Sequence, residues 1–118
     1  MRSREDIENR ILCLVDKYRH LFVRVVLFGS YARNQQGKES DIDLFIESDI
    51  PTNKLITSST YNRFHDELYE EFDYTVPFDL LVFGGNRDRK KVKSSPLYKQ
   101  VQNDGVILYK IIKITHHL

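Results

Sequence analysis

Apolar residues recur at Ile7, Ile11, Leu14, Val15 and Tyr18, which is one face of a 3.6-residue period and predicts a helix from about Arg4 to His20. Ser3, with Asp6 three positions on, forms the cap at its start. From Phe22 to Phe28 the pattern changes to a continuous apolar, β-branched run broken only by Arg24, which predicts a buried strand. Gly29-Ser30 ends that strand, Ser30 is placed to cap a short helix through Arg33 or Asn34, and Gln35 to Ser40 is a polar loop. The period then becomes two. Over Asp41 to Glu47, Ile42, Leu44 and Ile46 fall on one face of a strand, and Asp41, Asp43 and Phe45 on the other.

The stretch from Ile50 to Ser58 holds Pro51 and small polar residues and reads as a connection. Helical spacing returns at Tyr61, Phe64, Leu68 and Phe72, predicting a helix over Thr60 to Phe72. Phe78 to Phe83 is a third strand, apolar around one acid, Asp79, and Gly84-Gly85 breaks it. Ser95-Pro96 opens a further helix to about Asn103. Gly105 ends that helix, and Val106 to Lys113 is β-prone. The order helix, strand, strand, helix, strand, helix, strand predicts an α+β fold with helices packed on one sheet.

Composition narrows the picture without naming a function. The chain has 118 residues, enough for a single domain (1–118) with one modest core. Its net charge of +1 gives no argument for a nucleic-acid or membrane surface. No apolar run approaches the ~20 residues of a membrane span. Cys13 is the lone cysteine, which fits a reducing cytoplasm. The basic stretch Arg87, Arg89, Lys90, Lys91 and Lys93 reads as a solvated loop, because no aromatic residues interleave for base stacking.

The candidate chemistry lies in three aspartates set in strands that otherwise read as core. A buried carboxylate is costly unless paired or metal-bound, and Asp41 and Asp43 share a face by parity. Asp79 lies in a later strand that could pair beside theirs. Three converging carboxylates suit a hard, oxygen-seeking cation, Mg²⁺ above all when phosphates supply other ligands. Two such ions roughly 3.5–4 Å apart can clamp the attacking and leaving oxygens of a phosphoryl or nucleotidyl transfer. Gly29-Ser30 supplies the other half: glycine lets backbone approach a triphosphate, Ser30 adds a hydroxyl, and Arg33 could reach a phosphate oxygen. Singly, each feature has an ordinary structural reading, as a turn, a loop cap or an edge-strand charge. In this order they point to a nucleotide site.

Gly29-Ser30-Tyr31-Ala32-Arg33 followed by Ser40-Asp41-Ile42-Asp43-Leu44 resembles the signature of the DNA-polymerase-β-type nucleotidyltransferase superfamily. More narrowly, the chain resembles the minimal nucleotidyltransferases of prokaryotes. Asp79, within Phe78-Asp79-Leu80-Leu81, falls where the family's third carboxylate is expected, and Pro96 to Tyr98 with Asp104 to Tyr109 is similar to its closing helix and strand. Asn34 departs from the pattern, standing where a glycine commonly follows the arginine; asparagine tolerates the left-handed backbone such a loop needs. The resemblance implies a two-layer sandwich with a mixed sheet of about four strands. It also implies two Mg²⁺ ions on Asp41, Asp43 and Asp79, and ATP held through Gly29 and Ser30. Members of this kind are frequently antitoxins that transfer AMP to a tyrosine of a HEPN-family ribonuclease toxin. Larger relatives carry a second domain for base or acceptor, so this chain is expected to borrow a surface from a partner or a second copy of itself. The alternatives are an antitoxin acting by contact alone and nucleotidyl transfer to a small molecule such as an aminoglycoside.

Overall fold

The computed structural model describes residues 3–29 and 41–112. Helix α1 (Arg4–Lys17) starts where Ser3 accepts a hydrogen bond from the Asp6 amide at 3.1 Å. It ends sooner than the sequence pattern implies. A 3₁₀ turn at Arg19–Leu21 follows, and the first strand, β1, covers Arg24–Phe28 rather than starting at Phe22. The chain continues through β2 (Ile42–Ser48), α2 (Thr52–Ile56), α3 (Ser59–Glu71), β3 (Phe78–Gly84), α4 (Gly85–Val92), α5 (Pro96–Asp104) and β4 (Val106–Lys110).

Two further segments differ from the sequence reading. The expected connection from Ile50 to Ser58 contains the helix α2, whose Thr52 hydroxyl donates to the Asp88 carboxylate at 2.6 Å. The basic stretch expected to be a solvated loop is the helix α4. With only Val92 buried it shows no apolar period, and its anchorage is tertiary: Thr52 holds Asp88, while Arg89 reaches Glu47 and Asp49. Arginine and lysine are good helix formers, so once the ends are tied the helix follows.

The sheet is mixed, in the order β3-β2-β1-β4. β1 pairs antiparallel with β2 and with β4, whereas β2 and β3 are parallel over seven consecutive pairs from Ile42↔Phe78 to Ser48↔Gly84. Parallel neighbours need a crossover of a dozen or more residues, and α2 and α3 provide it. One sheet face carries Val25, Leu27, Ile42, Leu44, Ile46 and Phe78, buried beneath α1 and α3. Phe64 of α3, fully buried, meets Tyr18 and Phe22 edge-on at 5.7 and 5.0 Å between ring centres. Lys17 to Glu67 (2.9 Å) and Arg10 to Glu71 (3.0 Å) join the same two helices at the surface.

The other face has Val26, Phe28 and Phe45 packed against Val92 and Val101 from α4 and α5. Ser95 caps α5 by accepting from the Tyr98 amide, and Pro96 occupies the first turn. Among the described residues, no helix is long and apolar enough to cross a membrane.

Phe64 supports the contact between α1, α3 and the strand entry. Phe64→Ala is expected to lower unfolding free energy by about 3–5 kcal/mol, read as a reduced denaturant midpoint at unchanged slope. A loss below about 1 kcal/mol would show that the aromatic cluster is not core.

Candidate active site

β2 alternates as its sequence requires, so Ile42, Leu44 and Ile46 go under α1 and α3 while Asp43, Phe45 and Glu47 face the opposite side. The parallel register sets Asp43 directly beside Asp79. Neighbouring strands lie ~4.8 Å apart, so the two acids stand side by side on one face. Asp41 precedes β2 by one residue, in a chain that the Ile42 amide ties to the Pro77 carbonyl at 2.9 Å. Asp41 and Asp79 are exposed and Asp43 is half-buried, which places the acids at the open mouth of the sheet.

Gly29, at the end of β1, adjoins them. Its φ is +77°, a conformation that costs other residues about 1–2 kcal/mol. A Cβ there would overlap Asp43 Oδ2 and lie 3.1 Å from its Cγ. The absence of a side chain at Gly29 is therefore what gives the Asp43 carboxylate its place. Phe28 is the register partner of Asp43, so the corner lies where β1 ends and β2 and β3 begin. Ser30 and Arg33, the other two residues expected on a phosphate, lie outside the described residues.

Carboxylate oxygens at a solvent-open strand end are the right donors for Mg²⁺, which takes one or two carboxylates and completes its shell from water and phosphate. The Asp43–Asp79 pair meets that requirement. Among the described residues, no three metal-ligating side chains stand gathered as a finished cluster. Asp41 is the nearest further carboxylate by sequence, two residues before Asp43 and one before the start of β2.

Farther along this face sits a charged group that sequence reading did not single out. Glu47 is 3% exposed, and its carboxylate accepts from Arg24 Nε at 2.8 Å and from Arg89 Nε at 3.1 Å. The Arg24 guanidinium lies 5.4 Å from the Phe45 ring centre and 5.3 Å from that of Tyr98. Those ring faces surround a guanidinium whose Nη2 is buried and makes no hydrogen bond among the described residues. Arg24 was visible in the sequence as the one break in an apolar run, and that break was the available signal.

Residues 11–113 match the family described as Nucleotidyltransferase domain. A Methanocaldococcus jannaschii protein, provisionally named a protein adenylyltransferase, is 29% identical over 109 residues, covering 92% of this chain and 100% of that protein. Among solved structures, a toxin–antitoxin crystal structure with AMP-PNP superposes with a TM-score of 0.59 at 22% identity, over 88% of this chain and 73% of that one. A tri-AMPylated Shewanella oneidensis HEPN toxin in complex with MNT antitoxin gives 0.56 at 20% identity, over 92% and 74%. At these identities the solved structures establish the fold.

The contact between Gly29 and Asp43 is testable as a coupling. Gly29→Ala is expected to destabilise by about 1–2 kcal/mol from the backbone alone and by more from the displaced carboxylate. In an Asp43→Ala background the steric part vanishes, so a double-mutant cycle of melting or denaturant curves should give a coupling of about 0.5 kcal/mol or more. Strict additivity would mean that Asp43 does not use the space above Gly29.

Proposed function

Because the chain belongs to the nucleotidyltransferase domain family, we propose that it moves AMP from ATP to a hydroxyl acceptor, a tyrosine on a HEPN-type ribonuclease that it neutralises as an antitoxin. The observation that carries this reading is the in-register pair Asp43 and Asp79 beside the bare Cα of Gly29. A protein named an adenylyltransferase among its relatives supports the adenylyl group, and toxin–antitoxin complexes among its structural neighbours support the partner. ATP and the lone reduced cysteine both fit a cytoplasmic setting.

In this reading Gly29 and Ser30 hold the triphosphate, with Arg33 on a phosphate oxygen, and Asp41, Asp43 and Asp79 hold two Mg²⁺ ions. When bound, the metal neutralises charge on the phosphate oxygens and lowers the pKa of the acceptor hydroxyl. Asp43 lies between the other two roles, next to Gly29 on one side and Asp79 on the other. Asp79 stands on the outermost strand, where an acceptor can approach. The acceptor oxygen forms a bond to the α-phosphorus, the bond to the bridging oxygen breaks, and pyrophosphate leaves with the electron pair. The hydroxyl proton is given up to water.

Ligand linkage tests the nucleotide half. ATP with Mg²⁺ at about a hundredfold above its dissociation constant should add about 2.7 kcal/mol. For a chain of this size that raises the melting temperature by about ten degrees. No shift at millimolar ATP and Mg²⁺ would count against nucleotide binding by the isolated chain.

Catalysis is tested separately from contact. Asp43→Asn keeps the shape and removes a charge, so transfer should fall by about 10²-fold or more, on the scale of one lost electrostatic stabiliser. Wild-type protein mixed with a HEPN-type partner, Mg²⁺ and labelled ATP should leave adenylate on a partner tyrosine by mass. The variant should leave almost none while the two proteins still associate. If both neutralise the partner equally and no adduct forms, the contact-only antitoxin is correct.

A further inference from the structure

A recess lies on the same edge strand as Asp79, at the opposite end of β3. It is a cavity of about 630 Å³ between the end of β3, α4 and the start of α5. Phe83, Val92 and Leu97 supply apolar walls, Lys91 and Ser94 stand at its polar margin, and Asp88, the one acid in the lining, accepts from the Thr52 hydroxyl at 2.6 Å. α4 presents Arg87, Lys90 and Lys91 to solvent, and Lys93 follows at its end, also exposed. Arg89, by contrast, is turned inward to Glu47 and Asp49. The net charge of the whole chain is +1, so this cationic strip is a local feature.

Its position follows from strand order. Gly29 ends β1, Asp43 lies on β2 and Asp79 on β3, and among the described residues no strand lies beyond β3. If the triphosphate is held at the Gly29 side, the acceptor must come from the β3 side. Asp79, Leu81 and Phe83 alternate onto one face, so the acid and the cavity wall belong to one track. Four residues at ~3.3 Å each separate them, roughly 13 Å.

We propose that this cavity and its basic rim dock the acceptor: an acidic protein segment places one apolar side chain between Phe83, Val92 and Leu97 and presents its hydroxyl at Asp79. The proposal rests on the transfer reading for the fate of that hydroxyl. An apolar anchor seated in a pocket and ringed by charge is the usual energetic core of a protein interface. Cations on the rim select an acidic partner and speed its approach. The charged helix has no aromatic residue to stack a base, and Phe83 in the cavity wall is packed against Phe45 at 5.3 Å between ring centres, which favours a protein over a nucleic acid.

The probes are labelled peptides in a glutamate background, with a tyrosine four residues from a leucine, and versions with that leucine changed to alanine or the glutamates to lysine. A labelled single-stranded oligonucleotide is added as a competitor. The wild-type chain should bind the acidic leucine peptide, and loss of the leucine should weaken binding about tenfold, the size of one lost anchor. The lysine peptide should not bind. Lys90→Glu with Lys91→Glu, a surface change, should weaken the acidic peptide by about tenfold or more. Leu97→Trp, which fills the cavity, should do the same. Both variants should keep the wild-type melting shift with ATP and Mg²⁺, which shows them folded. Equal binding by the double charge reversal, failure of any acidic peptide to bind, or an oligonucleotide that binds more tightly and displaces the peptide would each overturn the proposal. Cavity-dependent peptide binding without any nucleotide shift would leave the docking surface standing and count against nucleotide binding by the isolated chain.

Discussion

The parallel register of β2 against β3 is the constraint on which the rest of this structure depends. Its seven pairs set Asp43 beside Asp79 and, in the same stroke, send Ile42, Leu44, Ile46 and Phe78 under α1 and α3. A slip of one residue would turn every side chain of β3 to the wrong face. Phe78 would leave the core, and Asp79 would enter it without a partner. The buried apolar face thus enforces the acid pair: the cost of misplacing the core is also the cost of separating the carboxylates. Burial on one face of a strand fixes geometry on the other, and the bare Cα of Gly29 leaves the Asp43 carboxylate its space.

That second face is divided. At the mouth, the acids are left open to solvent, and at the far end Glu47, Arg24 and Arg89 form a covered ion group under α4 and α5. A buried carboxylate without its cations would cost several kcal/mol, so Glu47 fixes where Arg89, and with it α4, can sit. Tyr98 against the Arg24 guanidinium does the same for α5. The two helices are thereby held back from the acids, and the recess between them and β3 lies along the same strand. A chain with little apolar content in α4 still positions that helix, through paired charge rather than through hydrophobic burial.

Most of the fold was legible because its two periods are clean. The alternation from Ile42 to Ile46 and the spacing Tyr61, Phe64, Leu68 each report a single buried face, which local sequence records directly. What misled was segments whose structure comes from elsewhere in the chain. Nothing in Gly85 to Val92 announces a helix, since its partners Thr52, Glu47 and Asp49 are distant in sequence. The short helix Thr52–Ile56 buries only Leu55 and so shows no period. The late start of β1 has a similar cause: Phe22 is buried, but as an aromatic plug against Phe64 and not as a paired strand residue.

For the site, the sequence by itself determined the residue types and their parity. Asp41 and Asp43 lie two apart, a glycine closes an apolar strand, and a third acid sits within a core-like run. Those facts depend only on the pleat of a strand and the chemistry of carboxylates. Only the tertiary structure decided that β3 lies next to β2, parallel and in the register that brings Asp79 to Asp43. It alone decided that the Asp43 carboxylate takes the space a side chain at Gly29 would fill, and that α4 folds back onto Glu47. Each of these is a contact between residues far apart in the chain. Local periodicity carries no information about which distant surface will cover a face, and packing and charge pairing select it.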